Sequence, residues 1–203
     1  MIEPLIERFK KINYKHKDIN DRRFLSRGAF CLAKIKGTKV ETFLEALVNN
    51  SINFNNDTFE EEIYGEQAIC SAYAECARKK AVPNLIDLYH RLDKKPAIFQ
   101  RWTVLSALVV TKSQEGIMFT LNHIDDIFNV HVHYSNYYYN QIISCLVVEA
   151  LIKKNPELIK TLPLYQLYYG GFRYFGFYNL ELQEMPAPRN VKEYILQLKQ
   201  IWE

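Results

Sequence analysis

Histidines and carboxylates are the first residues to test for chemistry. His131-Val132-His133 follows His123, Asp125 and Asp126, a grouping that could ligate a metal. Residues i and i+2 leave a helix in different directions. On a strand the two would share a face, but the further ligands are undefined. The segment therefore reads as a polar connection, and neither a metal nor a cofactor is expected. Asp125-Asp126 and Glu60-Glu61-Glu62 offer paired carboxylates. Neighbours on a helix diverge, so these read as a solvated turn and as a helix N-terminus, where acids favour the macrodipole. There is no GxSxG, no Gly-rich phosphate loop and no Cys with a placed His. Cys31, Cys70, Cys76 and Cys145 form no CxxC and fall among apolar neighbours in helical patterns. Small, buried, reduced thiols are expected. The chain is expected not to be an enzyme.

Two segments are unusual in composition. Residues 1–40 hold 11 basic and four acidic residues, whereas residues 41–66 hold seven acidic and no basic ones. The acids are Glu41, Glu45, Asp57, Glu60, Glu61, Glu62 and Glu66. Such a block is either a solvated face with a polar loop, which the Asn-rich run 49–56 fits, or a docking surface that steers a basic partner. Residues 165–178 hold eight aromatics, among them Tyr169, Phe172 and Tyr174, interrupted by Gly170-Gly171 and Gly176. That segment reads as a cap over the end of the fold or, alternatively, as a second interface. The overall net charge is only +3. Nucleic-acid binding rests on neutralising phosphates, so a nucleic-acid partner is not expected.

The elements that must position these residues are helices. Only seven Gly and seven Pro are spread over 203 residues, too few for a sandwich or barrel of short strands. Thr38-Lys39-Val40-Glu41 and Thr58-Phe59-Glu60-Glu61 have the capping-box form. Apolar spacing places helices in pairs: 22–36 with 40–49, 59–78 with 82–92, 97–111 with 115–124, and 137–154 with 157–167. Anchors from the first helices, Leu32, Tyr73, Leu108 and Leu151, are separated by 41, 35 and 43 residues. Anchors from the second helices, Val40, Val82, Ile117 and Ile159, are separated by 42, 35 and 42. Small residues in the first helices (Ala29, Ala33, Ala72, Ala74, Ala107) allow close approach, and larger Leu, Ile and Val fill the seam.

On Ile98–Trp102, Leu105–Leu108 and Ile117–Leu121, and again on Ala72-Tyr73-Ala74, Ala81-Val82-Pro83 and Leu85–Leu88, the chain resembles HEAT and armadillo repeats over roughly residues 20–168. The resemblance implies an all-α protein, an α-α superhelix of about four helix pairs in one domain. Residues 1–20 form its N-terminal cap, 21–168 the repeats, and 169–203 an aromatic segment and capping helix. HEAT motifs specify stacking rather than activity.

The function expected is a non-enzymatic protein-binding module, in its narrowest form a bacterial immunity protein that masks a cognate toxin such as a nuclease. The acidic block mimics a nucleic-acid substrate and draws in a basic toxin domain; the basic residues 1–40 argue the other way. Partner contacts are expected from Glu41, Glu45, Glu60, Glu61, Glu62, Asp87, His90, Arg91, Thr120 and His123, on the second helices and the acidic run. The alternatives are a HEAT-like DNA glycosylase for alkylated bases, using Arg101, Trp102 and Asp87, and a scaffold subunit of a larger assembly. No apolar stretch reaches the roughly 20 residues of a membrane span. Met1-Ile2-Glu3-Pro4 lacks a basic n-region, so a cytoplasmic location is expected.

Overall fold

A computed structural model describes residues 2–12, 19–50, 64–93, 98–128, 153, 164–169, 172–177, 196 and 199–203. Among them are seven α-helices: α1 (Glu3–Lys10), α2 (Ile19–Ile35), α3 (Thr38–Asn50), α4 (Tyr64–Ala77), α5 (Val82–Asp93), α6 (Ile98–Val110) and α7 (Gln114–Phe128). The body is helical, as the turn-poor composition implies. No helix among the described residues is long and apolar enough to cross a membrane.

The helices lie in two layers. Helix α4 packs between α2 and α6, while α5 packs between α3 and α7; α3 lies on α4, α5 on α6, and α6 on α7. Leu32, Leu44, Leu47, Leu85, Leu88, Leu105, Leu108 and Leu121 are all buried in one continuous core. Leu146 and Leu151, with most of the fourth expected pair, lie outside the described residues. Helix α4 is covered on several sides, and Ala68, Ile69, Cys70, Ala72, Tyr73 and Ala74 all point inward. Gln67 and Ser71 are buried beside them, so it is burial on several sides that marks α4 as a helix the fold encloses.

Short turns at one end of the layers join α2 to α3, α4 to α5 and α6 to α7. Each carries a basic residue in the left-handed region: Lys36 (φ 56), Arg78 (φ 52) and Lys112 (φ 56). Glycine is the usual occupant of such a helix-ending position. A cation there complements the carbonyl end of the helix dipole. Two of the three also reach forward along the first layer. The Lys36 ammonium lies 3.7 Å from Glu75. Arg78 donates to the Glu75 carboxylate (2.7 Å) and to the Val110 carbonyl (3.0 Å) at the end of α6. The turns thus tie each first-layer helix to the next.

Helix α3 begins one residue off the expected capping box. Thr38 is already helical, and the Gly37 carbonyl accepts from Val40 (2.9 Å) and Glu41 (3.0 Å). Gly37 has φ 102, which removes Thr38 from the capping position. At the N-terminus, α1 closes the first pair. Its Phe9 is fully buried, 5.0 Å from Phe24 and 5.8 Å from Phe43 between ring centroids. The ring lies over Gly28, where a Cβ would stand 2.7 Å from it. At the other end, the turn Lys199–Trp202 docks on the start of α7: Trp202 is buried, and its carbonyl accepts from Gln114 (2.7 Å) and Lys153 (3.3 Å).

The C-terminal expectation needs correction. Residues 164–167, assigned to the second helix of a fourth pair, belong to a strand. β1 (Leu164–Tyr169) pairs antiparallel with β2 (Phe172–Phe177), in a register running from Leu164 opposite Phe177 to Tyr169 opposite Phe172. Tyr, Phe and Leu suit a pleated surface, and a Gly-Gly pair in the sequence between two such runs favours a hairpin. The boundary set at residue 168 therefore cuts through β1. Strand β2 lies against α2 and α4.

Candidate docking surface on the second-layer helices

The second-layer helices α3, α5 and α7 carry a continuous row of polar and aromatic groups. At one end are the α3 carboxylates. Glu41 and Glu45 are one turn apart on α3 and were expected to face solvent together. Both are half-buried and engaged. The Lys80 ammonium approaches Glu41 to 3.6 Å. Glu45 accepts from the Asn84 amide at 2.6 Å, and that amide also donates to the Tyr73 hydroxyl at 2.9 Å. Tyr73, Glu45 and Asn84 therefore join α4, α3 and α5. Burial raises the Tyr73 phenol above its ordinary pKa, with the Glu45 and Glu41 charges adding to the shift.

Asp87 and Arg91 occupy the middle of the row on α5. They form an i,i+4 pair at 3.0 Å, with side chains 70% and 46% exposed. Arg91 also donates to the Asn49 carbonyl on α3 at 3.3 Å. The far end is a cluster of rings spanning α5 and α7. Phe119 and His123 stack at 4.0 Å and 20°. His90 meets Phe119 edge-on at 5.7 Å and His123 at 6.3 Å. Tyr89 lies beneath, 5.3 Å from Phe119 and 5.2 Å from His123. Tyr89 is buried and His90 exposed, while Phe119 and His123 are half-buried, so the cluster reaches the surface.

Thr120 does not belong to this surface. It is fully buried, and its single hydroxyl hydrogen is shared between the Gly116 (2.9 Å) and Leu105 (3.2 Å) carbonyls. Ile117, Thr120, Leu121 and Ile124 fall at i, i+3, i+4 and i+7, so Thr120 lies within the apolar stripe of α7. Glu60, Glu61 and Glu62 lie outside the described residues. Tyr169 and Phe172 are partners across the hairpin, and Tyr174 pairs with Leu167. The hairpin is thus a separate feature from the row. Asn84, Tyr73, Tyr89 and Phe119 were not anticipated. The i,i+4 spacing of Phe119 and His123 was the signal available for two of the rings.

Other groups fall away from the row. No cluster of three or more His, Cys, Asp or Glu residues fit for a metal occurs among the described residues. His131 and His133 lie outside them. Trp102 is in the core and not in a groove. Of the cysteines, Cys70 is buried and Cys76 half-buried, but Cys31 is exposed, contrary to expectation. Its neighbours Leu25, Ala29, Leu32 and Ala33 define the inward stripe of α2, and Cys31 lies off it. An open cleft of about 750 Å³ sits at the turn end, lined by Arg78, Lys79, Lys112 and Glu115 among others.

No protein-family model, curated protein or solved structure matches the chain.

Proposed function

We propose that the chain is a non-enzymatic, HEAT-like α-α superhelix whose second-layer face docks a basic protein. In the narrowest form of this proposal it is a cytoplasmic immunity protein that masks a basic toxin domain, such as a nuclease. The observation that carries it is the row on α3, α5 and α7: Glu41, Glu45 and Asp87 lead into the surface rings of His90, Phe119 and His123. Carboxylates at one end supply steering, and rigid rings at the other supply contact area with little side-chain entropy to lose. A DNA glycosylase draws no support from Trp102, which is enclosed by its own helices.

The test uses the full chain and the protein that it captures in stoichiometric amount. Association rates are measured over a salt series for the native chain and for the double variant Glu41→Lys/Asp87→Lys. Fields between exposed charges are screened beyond about 10 Å at 0.1 M salt. The double variant should therefore associate more slowly, with the deficit largest at low salt. An unchanged rate at every salt concentration would remove this face from the function.

A further inference from the structure

The ring cluster offers more than apolar area. His123 Nδ1 lies 2.8 Å from the Phe119 carbonyl oxygen. A carbonyl only accepts, so in the neutral ring Nδ1 carries the hydrogen and Nε2 is left as an acceptor. Phe119 and His123 stack face to face, so only the outer face of each can receive a planar group, and His90 stands edge-on beside them. Asp87 lies one helical turn from His90 and is largely exposed. The stacked pair therefore lies beside hydrogen-bond acceptors.

The chain's own Arg91 shows which cation suits the Asp87 end. Its guanidinium meets the Asp87 carboxylate at 3.0 Å while donating to the Asn49 carbonyl. Among the described side chains, the other charged groups on the second-layer helices beside α5 are Lys39, Glu41 and Glu45 on α3, and Glu115 on α7, and Lys39 is paired with Glu3 on α1. Lys80, in the turn before α5, is paired with Glu41. The charge along the row therefore favours a cation from outside.

We propose that the His90–Phe119–His123 cluster beside Asp87 is the seat of an arginine of the docking partner. This rests on the docking function proposed above and names the partner's chemistry. A guanidinium can lie flat on the outer face of the stacked pair and direct N–H groups to Asp87. An ammonium is a compact, strongly hydrated charge that gains little from a flat ring face.

The experiment is an NMR titration of the full-length protein with tri-arginine and, separately, tri-lysine at equal pH and ionic strength. Ring resonances of His90, Phe119 and His123 are followed. Tri-arginine should shift these rings together and bind about three- to fivefold more tightly than tri-lysine, the difference that a cation–ring contact of moderate exposure supplies. Asp87→Asn should weaken tri-arginine binding at the rings. Arg91→Ala should strengthen it, because the internal competitor for Asp87 is gone. Equal shifts from the two peptides, or ring shifts indifferent to Asp87→Asn, would overturn the proposal. A partner whose association is slowed by Glu41→Lys/Asp87→Lys, with no ring shift from tri-arginine, would overturn the arginine seat and leave the docking face standing. Ring shifts from tri-arginine with a partner unaffected by that double variant would instead overturn the docking function.

Discussion

Glu41 and Glu45 share one helix, one turn apart, and do different things. Glu41 meets only a largely exposed lysine across 3.6 Å. Such pairs contribute about 0–1 kcal/mol, so Glu41→Lys should leave stability within about 0.5 kcal/mol of the native value. Glu45 is tied to Asn84 and through it to Tyr73. Glu45→Lys should cost about 1–3 kcal/mol by leaving one N–H of that amide unpaired, and chemical denaturation of the two variants side by side checks the contrast. The helical period identifies both positions as off the apolar stripe, but a cross-helix partner such as Asn84 is set by tertiary packing, which spacing does not encode. The same scale governs the thiols. Burial pushes the Cys70 thiol up to about 12, and burial with the Glu75 charge pushes Cys76 up to about 11. The reactive species is the thiolate. Peptide mapping after mild alkylation near pH 8 should therefore find Cys31 modified well before Cys76, with Cys70 modified only on unfolding. Equal labelling of Cys31 and Cys70 in the folded protein would contradict the burial pattern.

At the scale of elements, the helices were legible because the core is built from long 3.6-residue stripes. Leu85, Leu88 and Leu92 on α5, or Ile117, Leu121 and Ile124 on α7, mark one inward face each, and all are buried. The ends were less legible. Gly37 rather than Thr38 precedes α3, because backbone conformation and not hydroxyl chemistry sets that turn. The strand Leu164–Tyr169 was missed because one apolar run fits a buried helix or a strand, and the Gly-Gly pair that discriminates lies beyond it. An N-terminal cap was expected over residues 1–20, but where α1 would sit was not legible for a related reason. Only the assembled fold brings Phe9 onto Gly28. Gly28→Ala places a methyl 2.7 Å from that ring, so Phe9 must shift within a packed site. We expect a loss of about 1–3 kcal/mol, read as a lowered denaturation midpoint, despite alanine's better helix propensity. A midpoint that rises would show that α1 does not pack as described. Leu108→Ala, in the centre of α6, should cost about 2–5 kcal/mol in the same assay.

For the whole molecule, the row on α3, α5 and α7 exists only because the second-layer helices are neighbours in order. The repeated spacing of their anchors pointed to that order. The composition of the row did not follow as simply: Thr120 turned inward, and Tyr89 with Phe119 completed a ring cluster of which the sequence reading held only the histidines. The central claim is that this layer, and not the α2–α4–α6 layer or the hairpin, receives a protein partner. Deuterium exchange of the full chain, with and without its captured partner, tests it most directly. The partner should slow exchange in peptides covering Val82–Asp93 and Gln114–Phe128, with a smaller effect over Thr38–Asn50. Protection confined to Ile19–Ile35, or to the strands Leu164–Tyr169 and Phe172–Phe177, with α5 and α7 unchanged, would contradict it.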